Sequence, residues 1–117
     1  MPDPKDFLPL TQVTFQLLVS LMKAPMHGYG LARDVEERTS GRVRLTAGTL
    51  YAGLQRMTRD GLIEESEAPP DQAAEASTRW RFYSVTALGK RALAAEVRRM
   101  EEDVRTARSL LPKPRKA

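Results

Sequence analysis

The chain is 117 residues long, 41% hydrophobic and 29% charged, which suits one soluble domain with a single modest core. It has no cysteine and one histidine, His27. That excludes disulfides, thiolate chemistry, Cys-ligated zinc and iron–sulfur clusters, and leaves no second histidine for a metal site or proton relay. The net charge of +4 is unevenly spread: residues 64–78 carry −5 and the rest of the chain +9. A basic surface with one acidic segment suits nucleic acid as a partner, a set of solvated helix faces being the other reading.

Residues 1–9 are proline-rich and polar, and are expected as a flexible arm. Residues 10–22 predict a first helix, with Leu10, Val13, Leu17, Leu18 and Leu21 on one apolar face. Phe15, Val19 and Met22 form a second stripe on that helix, which needs a second cover, and another copy of the chain is the candidate. Pro25 and Gly28 break the pattern before a second helix, Gly28 to Ser40, closed by Gly41. Here His27 has two readings, a pH or ligand sensor and a simple capping residue, of which capping is preferred.

Thr46 predicts the N-cap of a third helix that ends before Gly61. Helical projection turns Ala47, Leu50, Leu54 and Met57 inward and leaves Thr49, Ala52, Gly53, Arg56 and Arg59 outside. Glycines 48 and 53 cost helix stability, which is understandable where a bulky partner approaches the backbone. Two strands follow, residues 62–67 and 79–85, joined by a loop containing Pro69-Pro70. Trp80 is placed on the second strand with Phe82; it either packs there or lines a ligand pocket at a dimer interface.

Thr86 then caps a long final helix, Ala87 to Leu111. Leu93, Val97, Met100, Val104, Ala107 and Leu111 recur at spacings of four and three, the seam of a coiled coil. Packing on the first helix would cover this stripe, but dimerisation is the preferred reading. Residues 112–117 form a basic tail, expected to be disordered.

Three helices, a two-stranded hairpin and a long helix make a mainly α fold with a small β-hairpin, a winged helix-turn-helix over residues 10–85 with a dimerisation helix over 86–111. In that plan the third helix enters the major groove and the hairpin touches the backbone or the minor groove. Arg56 is suited either to guanine or to a phosphate. A protein–protein interaction module without specific DNA binding is the alternative. Enzymatic activity is not expected, since no carboxylate pair, phosphate loop or nucleophile–base pair stands at a useful spacing. No cofactor, metal or membrane partner is expected, and the location is read as cytoplasmic.

Four segments taken together, His27-Gly28-Tyr29-Gly30-Leu31, Leu45-Thr46-Ala47-Gly48-Thr49-Leu50-Tyr51, Asp60-Gly61-Leu62-Ile63 and residues 81–89, resemble the PadR family of bacterial transcriptional regulators, its short subgroup with one C-terminal helix in particular. The resemblance implies a homodimer that binds a palindromic operator, usually represses, and is sometimes released by a small phenolic or aromatic ligand. It also implies that Gly48, Thr49 and Tyr51 touch DNA. With it, the candidate contacts are Thr46, Gly48, Thr49, Tyr51, Ala52, Gln55, Arg56 and Arg59 on the third helix, and Arg79 and Arg81 on the wing. Ala52-Gly53 stand where family members often carry proline or arginine, so base readout there is weakened. The candidate dimer surface is Phe15, Val19 and Met22 with Leu93, Val97, Met100, Val104, Ala107 and Leu111.

Overall fold

The four α-helices each begin on a side chain that accepts the backbone N–H three residues on, which satisfies one of the donors a helix start leaves open. Thr11 caps α1 (Gln12–Leu21), His27 caps α2 (Gly28–Arg38), Thr46 caps α3 (Ala47–Arg59) and Thr86 caps α4 (Ala87–Leu110). These boundaries belong to a computed structural model that describes residues 2–72 and 80–114. The helices expected from Thr46 and Thr86 therefore start where the caps place them. The first helix is shorter than its apolar spacing suggested, because Thr11 takes the cap and holds Leu10 outside.

Among the described residues three antiparallel strands join the helices, β1 (Met26–His27), β2 (Ile63–Ser66) and β3 (Phe82–Val85), in the order β1-β3-β2. β1 lies where only a break was expected: two residues carry no periodicity, and only pairing with Tyr83 and Phe82 makes them a strand. α3 ends in a Schellman turn, with Gly61 at φ +79° and the Leu62 N–H donating to the Met57 carbonyl. That turn sends the chain directly into β2.

The core gathers Leu17, Leu18 and Leu21 of α1, Leu31 and Val35 of α2, Leu50, Leu54 and Met57 of α3, and Ile63 of β2. α1 and α2 are also joined by polar contacts. The Arg38 guanidinium donates to the Gln16 side chain and carbonyl and to Ser20 Oγ, and pairs with Asp34. Burial pushes the Asp34 carboxyl up, but hydrogen bonds from Lys23, Ser20 and Arg38 outweigh it and leave the group below the usual carboxylate range.

Three expectations change. Residues 4–7, read as part of a flexible arm, form a single 3-10 turn packed against α4, with Phe7 against the core. Gly53, read as outward, is buried: a Cβ there would lie 3.0 Å from Val13 Cγ1, so its missing side chain lets α3 approach α1. Ala47, read as inward, is exposed in the first turn. The buried arc of α3 is thus turned by roughly 30° from the projected one, at 100° per residue. Among the described residues no helix is long and apolar enough to cross a membrane.

Candidate nucleic-acid interface

The outward arc of α3 follows from that rotation. Leu50, Gly53, Leu54 and Met57 face the core, so Gly48, Ala52, Gln55 and Arg59 occupy the middle of the exposed arc, with Tyr51 on one flank and Thr49 and Arg56 on the other. Thr46, Gly48, Thr49, Tyr51, Ala52, Gln55, Arg56 and Arg59 are all exposed. Beyond its chain neighbours and the helix's own backbone, nothing described lies within 4 Å of a Cβ built on Gly48, so the start of α3 stands open on that side. The Thr49 N–H of that turn donates to Thr46 Oγ1 at 3.2 Å.

Such an arc is smooth in its first half and basic in its second, the form a helix needs to lie close to a base-pair edge with its charges on the strands. Arg59 lies 3.7 Å from the Asp60 carboxylate, an exposed pair that constrains it weakly. Arg56 is bordered on its flank by Phe7, Leu10, Thr11 and Asp60, which line a shallow cleft with it. It therefore stands towards the edge of the arc, and Gln55 holds the more central place.

The wing brings Arg81 alongside. Its guanidinium is exposed and pairs with Glu65 of β2 at 3.3 Å. Arg79 lies outside the described residues. Between α3 and the wing stands the start of α2, where Gly28 leaves room for Tyr51: a Cβ at Gly28 would fall 2.8 Å from the phenol oxygen. A cleft of about 340 Å³ runs along this junction, lined by His27, Tyr29, Tyr51, Trp80, Arg81 and Tyr83.

His27 acts as the capping residue of α2, its Nδ1 accepting the Gly30 N–H at 3.1 Å. Burial holds its pKa below the ordinary value. Trp80 precedes β3 rather than lying in it, and rests on the His27 ring with centroids 4.4 Å apart. The aromatic group around His27 was not foreseen as a unit, since its members come from the start of α2, from α3 and from the root of the wing.

The second half of α4 leaves the body of the fold. Leu93 is buried in the core of its own chain, whereas every residue from Val97 to Leu111 is exposed. Val97, Met100 and Val104 border a groove of about 560 Å³ with Phe15 of α1, which Trp80 does not line. Val19 is half-buried and packs on the core, and Met22 is exposed at the end of α1. The structure thus joins Phe15 to the outer seam of α4 and withdraws Leu93 from it.

Residues 17–95 match the family described as "Transcriptional regulator PadR-like family". In fold the chain is similar to a PadR family transcription regulator of Clostridium difficile, with a TM-score of 0.71 and 25% identity over 87% of this chain and 100% of the other. It is similar also to a transcriptional regulator of Clostridium thermocellum, with a TM-score of 0.70 and 18% identity over 86% and 90% of the two chains. A protein of Lysinibacillus sphaericus with no assigned role is 27% identical over 86 residues, 74% of this chain and 75% of its own.

Proposed function

The chain belongs to the PadR-like family of transcriptional regulators, and from that membership we propose that it acts in the cytoplasm as a homodimeric repressor of a two-fold symmetric operator. The observation that carries this reading is the outer arc of α3. An exposed helix face of Gly48, Ala52, Gln55 and Arg59, flanked by Thr49 and Arg56, offers small groups and donors, with no Leu or Met. Protein-binding patches are built from large apolar anchors, and Tyr51 at the edge is the only one here. That composition favours DNA over a protein partner.

Dimerisation rests on the second half of α4. Its exposed apolar seam, with Phe15 beside it, is the form a helix takes when a second copy covers it. Two copies joined there would present two α3 helices to successive major-groove turns, about 34–36 Å apart on one face of the duplex. Release by a small aromatic ligand belongs to the same reading. A ligand seated in the groove between α1 and α4 would alter the angle at which two copies meet, and with it the spacing of the α3 helices.

The direct test is a mobility shift on fragments covering the chain's own promoter region and genome. Binding at low salt to a small set of fragments, falling steeply as salt rises, is the expected result. Absence of binding to every fragment at low salt would contradict it.

A further inference from the structure

Among the described residues the exposed large apolar side chains fall into two groups, apart from Met22 and Leu110. One is the α4 seam. The other is aromatic, with Tyr29, Tyr51 and Trp80 at 66%, 53% and 49% exposure, around His27. This group is built rather than incidental. His27 is fixed three times: by pairing of its backbone with Phe82, by the Gly30 N–H on its Nδ1, and by the Phe82 ring edge-on at 5.2 Å. Trp80 rests on its outer face, and Tyr29 lies with its plane only 6° from the imidazole plane, at 6.3 Å between centroids. Tyr51 joins from α3 across Gly28.

We propose that this aromatic shelf is a second DNA-contact surface, on which the sugar–phosphate strand flanking the α3 site lies. The proposal rests on the DNA-binding reading above and names the part of the duplex the shelf would hold. Deoxyribose faces pack on the rings of Tyr29 and Trp80, while Arg81 and the phenol hydroxyls of Tyr29 and Tyr51 donate to phosphate oxygens. Two observations select this occupant. The shelf is continuous with the outer arc of α3 through Tyr51 and with the wing through Arg81, both in the same cleft. Its chemistry also alternates apolar ring and polar donor, as a nucleic-acid strand alternates sugar and phosphate. Among the described acids near it, Asp34 is held by Lys23 and Arg38, while Glu65 pairs with Arg81 and Glu37 with Arg33, whose guanidinium also sits 5.9 Å from the Tyr29 ring. The Glu65 and Glu37 pairs are exposed and yield readily to a phosphate.

Ring-to-sugar packing neutralises no phosphate, so it contributes affinity without releasing a counterion. Trp80 is the only tryptophan, so intrinsic emission reads the shelf alone. The full-length chain is titrated with end-labelled duplex, following Trp80 emission and duplex anisotropy together at several salt concentrations. Trp80 emission is expected to change in step with binding. Tyr29→Ala and Trp80→Ala are each expected to weaken binding about fivefold or more on duplexes of any sequence. Their slope of log affinity against log salt stays that of the native chain, whereas Arg81→Ala reduces it by about 0.9. Thermal melts of both variants show that the fold is retained. Saturating duplex that leaves Trp80 emission and the affinity of both variants unchanged would overturn the shelf while leaving α3 as the DNA site. Emission that responds to 1-naphthol alone and not to duplex would overturn it in favour of a small-molecule site. Failure of any duplex to bind would overturn both readings together.

Discussion

The carboxylate of Glu96, on the last helix, accepts the backbone N–H of Leu10 at 2.7 Å across 86 residues of sequence. Glu96 is only 2% exposed, and its other oxygen is held by Arg99. The Arg99 hydrogen bond is the main reason its carboxyl lies below the usual range, burial opposing it and the Leu10 N–H assisting. This contact fixes the root of α4, and with it the direction in which the exposed half of that helix leaves the domain.

Glu96→Ala removes both bonds and leaves a part-buried amide without its acceptor, at a cost of about 1–3 kcal/mol. Glu96→Gln keeps a neutral acceptor for Leu10 and recovers part of the loss. Urea unfolding of the two variants beside the native chain checks the order.

The two glycines of α3 separate by surroundings. Gly53 faces Val13, so Gly53→Leu forces α3 from α1 and costs about 1–3 kcal/mol. Gly48 faces open space, and Gly48→Ala is expected to raise stability by about 0.5–1 kcal/mol. Thermal melts that gave both substitutions the same sign would contradict this arrangement of the helix.

His27 predicts a pH dependence. Its Nδ1 can cap α2 only while unprotonated, and a cation there opposes the helix dipole. Burial lowers its pKa from the ordinary 6.5, so the folded chain takes up the proton less readily than the unfolded one. The stability this contributes is full above pH 6.5 and is lost as pH falls below it towards the folded value. Glu96 and Asp34, also held low, contribute with the same sign but lose their share only as pH falls into the carboxylate range. Unfolding measured at about pH 7.5 and 5.5 should show the loss, and His27→Asn, which keeps an acceptor without titrating, should flatten it.

On α3, Gln55→Ala is expected to relax preference at one base pair, at about 1–3 kcal/mol, in keeping with its central place in the arc. Arg56→Ala, at the edge of the arc, should weaken binding to all duplexes alike and reduce the salt dependence. Affinities for a set of single-base operator variants distinguish the two behaviours. A base-specific loss at Arg56 with none at Gln55 would reverse the assignment.

Much of the fold was readable in advance because its signals are local. Thr46 and Thr86 are capping residues by type and position, and Gly61 marks a turn that needs positive φ. The orientation of α3 was not, because projection treats Gly53 as a surface residue when its function is to have no side chain against Val13. β1 is too short to carry a pattern, and Leu10 reaches Glu96 over a separation no local signal spans. The outer residues of α3 were identifiable by type, yet which of them stands central depends on the rotation that Gly53 permits. The aromatic shelf is similarly a product of packing, since Tyr29, Tyr51 and Trp80 meet only when α2, α3 and the wing are brought together.

The proposed dimer rests on α4. Val97→Glu combined with Met100→Glu places four charges in the seam of a two-fold pair, and should yield a folded monomer in sedimentation velocity, since both positions are exposed in the single chain. An unchanged dimer would assign the interface elsewhere.

The central claim, a two-fold pair of chains reading duplex DNA with α3, is tested most directly by selecting binding sites from random duplex DNA with the native chain and with that double variant. The native chain should enrich a symmetric site whose half-sites are centred about 10 base pairs apart, and the double variant should lose the symmetry and most of the affinity. A native chain that enriches no sequence, or one asymmetric site retained in full by the variant, would contradict it.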